Sequence, residues 1–255
     1  MENIIFDIKK VKKFFNEHKE NELEVIKDLS LQVKENEFLC IVGPSGCGKS
    51  TLLRIMAGLE SATSGEVIYR GKRHTKPTAD IGMVFQSYSL MPWLNVEDNI
   101  GLGLKFKNIK ENKKRAIVDE YLEIIGLEKF RKSAPHELSG GMQQRVAIAR
   151  SLANNPDVIL MDEPFGALDA YTRIQLQKEL LRIWQGHKKT IVFITHSVDE
   201  AVYLADRIIL LNKNGGEIAV NVDVNIERVR DRTNPKYVEL NQKLLNALED
   251  LNKPK

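Results

Sequence analysis

One stretch, residues 38–58, constrains the fold of this chain more than any other. It runs from a short apolar segment, Phe38–Val42, through a glycine-rich turn into a largely apolar segment with helical spacing that stops at Gly58. Within the turn, the pattern GxxxxGK[ST] is filled by Gly43, Gly48, Lys49 and Ser50. A buried strand, a turn and a helix in this order predict an α/β core with a phosphate-binding loop.

The residue types of this turn suit a nucleotide triphosphate. Glycines let backbone N–H groups close round a phosphate without Cβ clashes, and the N-terminus of the following helix faces the anion. The lysine side chain can reach the terminal phosphates, and the serine hydroxyl can ligate Mg²⁺. We expect the cradle to be made by Gly43, Pro44, Ser45, Gly46, Cys47, Gly48, Lys49, Ser50 and Thr51.

Composition excludes several other classes of protein. The chain has 255 residues, with 38 Lys and Arg against 35 Asp and Glu, and this balance argues against a nucleic-acid partner. The two cysteines, Cys40 and Cys47, resemble neither a metal pair nor a disulfide framework, so we expect reduced thiols in a cytosolic protein. We expect no signal peptide and no membrane span, since no stretch approaches about 18 consecutive apolar residues.

The order of patterns along the chain predicts its organisation. Alternating segments at Ile4–Val11 and Glu24–Val33 predict strands of a half-exposed sheet, and Ile81–Phe85 predicts a further strand. No strand signal follows until residue 157, so a helical block interrupts a strand and helix core. Near the end, Tyr237, Leu240, Leu244, Leu248 and Leu251 recur at helical spacing and predict one docked amphipathic helix.

Three further positions carry candidate chemistry. Ser139, Gly140 and Gly141 precede an apolar helix and form either a second anion site or an ordinary N-cap. Asp162 and Glu163 follow a buried strand, where open α/β sheets bind ligands, so one acid could hold Mg²⁺ and the other polarise the attacking water. His196 also ends a predicted strand and is either catalytic or structural.

Together these motifs resemble those of the ATP-binding subunits of ABC transporters. The resemblance covers roughly residues 3–215 and keeps the family's order. It rests on the phosphate loop Gly43–Thr51, the glutamine-loop residue Gln86, the signature Leu138–Arg145 (LSGGMQQR), the acidic strand Val158–Glu163, the D-loop Phe165–Asp169 and the switch histidine His196. The signature is the most specific element, because kinases and small GTPases have no counterpart.

The resemblance implies an α/β fold: a P-loop NTPase core with a mostly parallel sheet, an antiparallel β subdomain and an inserted α-helical subdomain. It implies one domain over residues 1–255. We assign the core with its N-terminal β subdomain to 1–86 and 157–225, the helical subdomain to 87–156 and a C-terminal helical tail to 226–255.

The resemblance also implies roles for single residues. Two copies would pack head to tail, with each ATP between the phosphate loop of one copy and Ser139, Gly140 and Gly141 of the other. Asp162 would hold Mg²⁺ with Ser50 and Gln86. Glu163 would be the general base, Gln86 would also be catalytic, and His196 would steady the γ-phosphate and the attacking water. Asp169 would bridge the dimer. Phe15 falls at the position where an aromatic residue of the family, more often Tyr, stacks on adenine. Alternatively, Phe15 only covers the edge of the sheet.

A narrower resemblance concerns transport. The segment LMPWLNVEDNI is similar to the LxPWxTVxxNV pattern of importers for nitrate, sulfonate and taurine, with Asn95 in place of the usual threonine. In that group the segment faces the membrane subunit, so Pro92 and Trp93 would line its docking groove. Alternatively, Trp93 anchors the core of the helical subdomain.

The function implied is ATP hydrolysis that powers import, on the cytoplasmic face of the membrane as a peripheral subunit. The partners would be a second copy, two transmembrane permease subunits and, indirectly, an extracellular solute-binding protein. Sulfonates or taurine are the first expectation for the cargo; nitrate or a thiamine-precursor pyrimidine is the second. Two rivals stay open: a non-transport relative in DNA repair or translation, and an ATP-gated binding module without turnover.

Overall fold

The computed structural model describes residues 3–16, 22–166, 168–187, 189–213 and 216–252. The chain divides into two compact units, one formed by Met1–Thr78 with Lys189–Lys255 and the other by Ala79–Lys188. The helical subdomain that we assign to 87–156 lies in the second unit, which also contains two strands and a long helix. The subdomain boundaries therefore stay a prediction.

Helices and strands follow one another along the chain in this order. Met1–Thr78 contains β1 (Ile4–Phe15), β2 (Leu23–Lys34), β3 (Phe38–Val42), α1 (Lys49–Met56), β4 (Ser64–Tyr69) and β5 (Lys72–Arg73). Ala79–Lys188 contains β6 (Ile81–Val84), α2 (Val96–Phe106), α3 (Glu111–Ile124), α4 (Gly140–Ala153), β7 (Val158–Asp162) and α5 (Ala170–His187), with short 3-10 turns at Glu128–Phe130 and Pro135–Glu137. Lys189–Lys255 contains β8 (Thr190–Thr195), α6 (Val198–Leu204), β9 (Arg207–Leu211), β10 (Ile218–Asp223) and α7 (Pro235–Asn252).

Two kinds of strand pairing occur in the first unit. An antiparallel sheet has the order β2-β1-β4-β5, and its long strands alternate between buried and exposed residues, as the sequence pattern predicts. In the other sheet β3 pairs in parallel with β8 and β9, and β9 pairs antiparallel with β10. Every residue of β3 and β8 is buried, because a parallel strand covered on both faces needs a continuous apolar run.

Strand β1 is longer than its sequence pattern predicts. It continues past Val11 to Phe15, and its pairing with β2 shifts register between Ile8 and Val11 and again up to Phe14. Beyond Val11 the strand still alternates between buried and exposed residues, but Lys13 takes the buried position. The apolar pattern therefore stops although the strand does not. The strand thus reaches the aromatic residue that we expect near a nucleotide base.

In the second unit, β6 and β7 pair in parallel and α2, α3 and α4 pack on one another. Helix α3 has one apolar face, on which Val118, Tyr121 and Leu122 are buried. Gly126 follows with φ +64°, the left-handed conformation that ends a helix. The helical block therefore has a core of its own.

The tail forms helix α7, which packs within the first unit. Tyr237 and Leu244 of α7 are buried, and the helix packs against α6. The remaining predicted inward positions are half-buried: Leu240, Leu248 and Leu251. Among the described helices, none is both long enough and apolar enough to cross a membrane.

One buried ion pair ties β3 to β9 in the first unit. The Glu37 carboxylate accepts from Arg207 Nε at 2.6 Å and from Nη2 at 3.1 Å, and the two side chains are only 5% and 11% exposed. Removing one partner of a buried pair leaves the other charge uncompensated.

We expect Glu37→Gln to lower the free energy of unfolding by about 3 kcal/mol, measured by urea denaturation.

The control is a surface pair in the same unit. Arg70 Nη2 lies 3.5 Å from Glu35 Oε1, with the side chains 51% and 36% exposed. Because water screens such a pair, Glu35→Gln should cost less than about 1 kcal/mol. Equal losses for the two variants would contradict the structural role given to Glu37.

Candidate nucleotide-hydrolysis site

The loop between β3 and α1 is shaped by glycines. Gly48 precedes α1 with φ +94°, and a Cβ there would lie 2.8 Å from the Val25 carbonyl oxygen. A Cβ on Gly43 would lie 2.9 Å from both Cys47 Sγ and the Leu211 carbonyl oxygen. Both contacts are closer than a real Cβ tolerates, so a side chain at either position would deform the loop. The sequence pattern therefore has a steric cause here.

The N-terminus of α1 is prepared for an anion. Gly48 offers no side-chain cap to the first N–H groups of the helix, and the first turn contains no acidic residue. These N–H groups and the positive end of the helix dipole attract phosphate. The loop thus fits the phosphates of a nucleotide.

Lys49 adds a buried positive charge to the loop. It is 5% exposed, and its Nζ donates to the carbonyl oxygens of Gly43 at 2.7 Å and Pro44 at 2.8 Å. The neighbouring thiol of Cys47 stays protonated at neutral pH, because burial raises its pKa. Since neutral groups surround the ammonium in the loop, its charge is available to a phosphate.

Phe15 lies at the end of β1 and is 37% exposed. Lys13 Nζ sits 4.8 Å from the centre of its ring, held by Glu60 at 2.6 Å and by the Ser61 carbonyl oxygen at 2.9 Å. The ammonium orients the ring from one side while part of the ring faces solvent. Stacking of Phe15 on adenine stays a prediction that this geometry permits.

His196 occupies the turn between β8 and α6. Thr195 Oγ1 donates to Glu200 Oε2 at 2.5 Å and accepts from the Ser197 N–H at 3.0 Å. Ser197 Oγ in turn accepts from the Glu200 N–H at 3.3 Å, which caps α6. The turn is therefore fixed by buried side chains, whereas the imidazole of His196 is exposed. A packed core role for this histidine is excluded.

The acidic pair lies at the carboxyl end of β7 in the second unit. Asp162 is the last residue of the strand and is 4% exposed. Glu163 follows with φ +43°, a left-handed conformation that costs a non-glycine residue energy and that clusters at functional sites. Gln86 Nε2 lies 3.5 Å from Glu163 Oε2. The structure thus brings together two residues that sequence analysis placed in one site.

The signature segment begins α4. Ser139 is the N-cap and accepts from the Met142 N–H at 3.3 Å, so the ordinary capping interpretation is met. Gly140 and Gly141 also allow close contacts that a helix cap does not need. A Cβ on Gly140 would lie 2.8 Å from the Tyr88 hydroxyl, and one on Gly141 would lie 2.7 Å from Thr172 Cγ2. A side chain at either position would therefore have to displace the side chain of Tyr88 or Thr172.

Asp169 precedes α5. Its Oδ1 accepts from the Thr172 N–H at 2.9 Å, and the hydrogen bonds from Thr172 lower the pKa of the Asp169 carboxyl, which keeps it anionic. Ala167, in the middle of the D-loop, lies outside the described residues. The bridging role of Asp169 between two copies stays a prediction.

Sequence analysis missed residues that support these positions. Arg150 Nη1 donates to the Ser89 carbonyl oxygen at 2.6 Å and anchors the segment after Gln86 to α4. Burial lowers the pKa of this guanidinium. Tyr88 contacts the signature through Gly140. No local sequence pattern predicts these contacts, because each of them joins residues more than fifty positions apart.

Comparisons with known proteins agree with this geometry. The family model described as "ABC transporter" matches residues 26–166. An uncharacterised ABC transporter ATP-binding protein of Methanocaldococcus jannaschii is 53% identical, covering 90% of this chain and 86% of that protein. The aliphatic sulfonates import ATP-binding protein SsuB of Bacillus thuringiensis subsp. konkukian is 45% identical, covering 95% of each chain. The nitrate import ATP-binding protein NrtD of Synechococcus elongatus is 43% identical, covering 88% and 84%.

A solved structure extends the likeness to the fold. A dimeric ATP-binding cassette in a post-hydrolysis state, bound to ADP and phosphate, matches with a TM-score of 0.77 and 36% identity, covering 86% of this chain and 99% of that one. The predicted fold class and family resemblance are confirmed. The chain belongs to the ABC transporter family and is one of its ATP-hydrolysing subunits.

Proposed function

We propose that the chain hydrolyses Mg·ATP as one half of a head-to-tail pair and thereby powers the import of a small anion. The observation that carries this proposal is Glu163, placed with a left-handed backbone at the end of β7 with its carboxylate 3.5 Å from Gln86 Nε2. A carboxylate so placed can accept a proton from an attacking water. A binding module without turnover would not need it.

The other residues of the site divide between binding and charge stabilisation. Lys49 and the N–H groups of the loop bind the phosphates, while Ser50, Gln86 and Asp162 supply hydroxyl, amide and carboxylate oxygens that suit Mg²⁺. The ion, when bound, neutralises charge that develops on the transferred phosphoryl group. His196 contributes a hydrogen bond to the γ-phosphate. Phosphoryl transfer needs little more than such positioning and electrostatics.

The second copy completes each site in this proposal. Ser139, Gly140 and Gly141 form a glycine-lined helix N-terminus that the phosphate loop of the same chain does not require, since α1 already provides one. We assign the signature to the γ-phosphate bound by the other copy, with Asp169 bridging the pair. The likeness to a dimeric cassette supports this arrangement.

The segment after the glutamine loop supports docking to a membrane permease. Trp93 is 77% exposed, so the alternative that it anchors the core of the helical subdomain is wrong. Phe106 is 78% exposed and borders a groove of about 540 Å³ that Met91 and Leu102 also line. Two exposed aromatic side chains, one of which lines an apolar groove, indicate a protein interface.

Asn99 fixes the backbone on both sides of Trp93. Its buried amide donates to the carbonyl oxygens of Met91, Leu94 and Asn95 at 3.2, 3.0 and 3.0 Å, and its Oδ1 accepts from the Met91 N–H at 2.8 Å. Asn95 caps α2 by accepting from the Asp98 N–H at 2.8 Å. Asparagine and threonine both serve as N-caps, so the departure from the importer pattern keeps the local structure.

The proposed partners and cellular location of the chain follow from docking to a membrane permease. We assign two transmembrane permease subunits as direct partners, an extracellular solute-binding protein as an indirect one, and the cytoplasmic face of the membrane as the location. Sulfonates or taurine are the proposed cargo, with nitrate or a thiamine-precursor pyrimidine second. The sulfonate and nitrate relatives are almost equally similar, at 45% and 43% identity, and the LMPWLNVEDNI segment is common to both groups, so the preference rests on the order of similarity alone.

The first prediction of the proposed function concerns Glu163. Replacing it with Gln removes the proton acceptor but keeps the size and the phosphate cradle, so hydrolysis should fall by at least about a hundredfold while ATP still binds. The trapped nucleotide should hold two copies together. Steady-state ATPase assays and size-exclusion chromatography with and without Mg·ATP measure both effects.

Glu120→Gln is the matched control, because Glu120 is an exposed acid on α3 of the same unit. It should turn over like the unaltered chain and remain a monomer after ATP is consumed. Unchanged turnover in Glu163→Gln would remove Glu163 from the mechanism.

The second prediction concerns docking. Trp93→Ala should weaken saturable binding to native inverted membrane vesicles stripped of their own ATP-binding subunit by about tenfold, because a buried aromatic anchor carries much of an interface. ATP affinity of the isolated chain should stay the same. Phe130→Ala, at a 40% exposed aromatic of the same unit, is the control. Loss of ATP binding with unchanged vesicle binding would return Trp93 to a structural role.

A further inference from the structure

The short helix α6 follows His196 directly and is held at both ends by the tail of the chain. It has seven residues, Val198–Leu204, and its N-cap is Ser197. A helix of two turns is not stable by itself, so its position depends on tertiary contacts. The helix packs on β3, β8 and α7, and residues 228–237 add hydrogen bonds at both of its ends.

Two arginines bind the C-terminal end of α6. Arg230 Nη1 donates to the carbonyl oxygens of Val202 at 2.9 Å and Tyr203 at 3.1 Å, and Arg228 Nη2 donates to that of Leu204 at 2.6 Å. These carbonyls lack partners within the helix and carry the negative end of its dipole. Burial lowers the pKa of Arg230 to about 10, so the guanidinium stays charged at neutral pH.

The N-terminal turn of α6 is held through Asp199. The Tyr237 hydroxyl lies 2.6 Å from Asp199 Oδ1 and 2.9 Å from the Asp199 carbonyl oxygen, and the Tyr237 ring is 1% exposed. Arg232 Nε is 3.1 Å from both carboxylate oxygens, and its guanidinium stacks 4.0 Å above the ring of Tyr203. Asp199 is three residues beyond His196, so these bonds reach the turn that carries the imidazole.

We propose that Tyr237 and its neighbouring arginines are positioning residues that hold α6 and thereby orient His196. The turn containing His196 is fixed by Thr195 and Ser197 to Glu200, a residue of α6. Any rotation or shift of α6 therefore carries the imidazole with it. The inference rests on the proposed role of His196 in hydrolysis.

Tyr237→Phe tests the inference, because it keeps the buried ring and removes the bonds to Asp199. We expect kcat for Mg·ATP to fall by about three- to tenfold, the size of effect that follows from losing one ordinary hydrogen bond, with KM changed by less than about twofold. Val238→Ala, at the next residue of α7 and 52% exposed, should leave both constants unchanged.

A double variant separates positioning from general destabilisation. In a His196→Gln background, Tyr237→Phe should cause no further fall in kcat, because its effect passes through the histidine. An equal fall in both backgrounds would overturn the inference, and so would wild-type kcat in Tyr237→Phe. Should Tyr237→Phe not fold, Arg232→Gln provides the same comparison through the other partner of Asp199.

The outcomes also distinguish the two proposals. Full kcat in His196→Gln would remove the histidine from the proposed mechanism and overturn the inference with it. Loss of kcat in His196→Gln alone, with Tyr237→Phe unaffected, would overturn only the positioning role and leave the proposed function standing.

Discussion

The structure depends on one electrostatic arrangement at the phosphate loop. The N-terminus of α1 has no side-chain cap and follows glycines, and the buried ammonium of Lys49 lies in the same loop. Gly48 takes a left-handed conformation that opens the first N–H groups of α1, and Lys49 adds its charge from within the loop. A polar arrangement of this kind is costly without a partner anion, since buried charge needs compensation. Carbonyl oxygens of Gly43 and Pro44 meet that need in the chain alone, and phosphate oxygens can replace them.

In the proposed mechanism, further groups act on such a phosphate. Each group lies next to the end of a helix or strand: Glu163 follows β7, His196 lies between β8 and α6, and Ser139 precedes α4. In each case buried side chains or backbone fix the turn, while the functional group stays accessible or at the surface of its unit. Rigid elements with exposed end groups suit a reaction that is catalysed by positioning.

Much of this could be predicted from the sequence, and the exceptions share a physical cause. The phosphate loop and the stop of α3 at Gly126 were predictable, because their chemistry lies within a few consecutive residues. The full length of β1 was not, because Lys13 fills the last buried position of the strand and so ends the apolar pattern early. The bonds from Tyr237 to Asp199 and the contact of Tyr88 with Gly140 join distant residues, and local periodicity carries no information about them.

Complementation between two inactive variants tests most directly whether two copies share each site. Lys49→Ala disables the phosphate loop, and Ser139→Ala disables the signature, so neither variant alone should hydrolyse ATP. In a head-to-tail pair that contains one copy of each, one of the two sites combines an intact loop with an intact signature. Steady-state ATPase activity should therefore reappear on mixing the variants. A mixture that stays inactive, or a Ser139→Ala chain that hydrolyses ATP at the normal rate, would contradict the shared site.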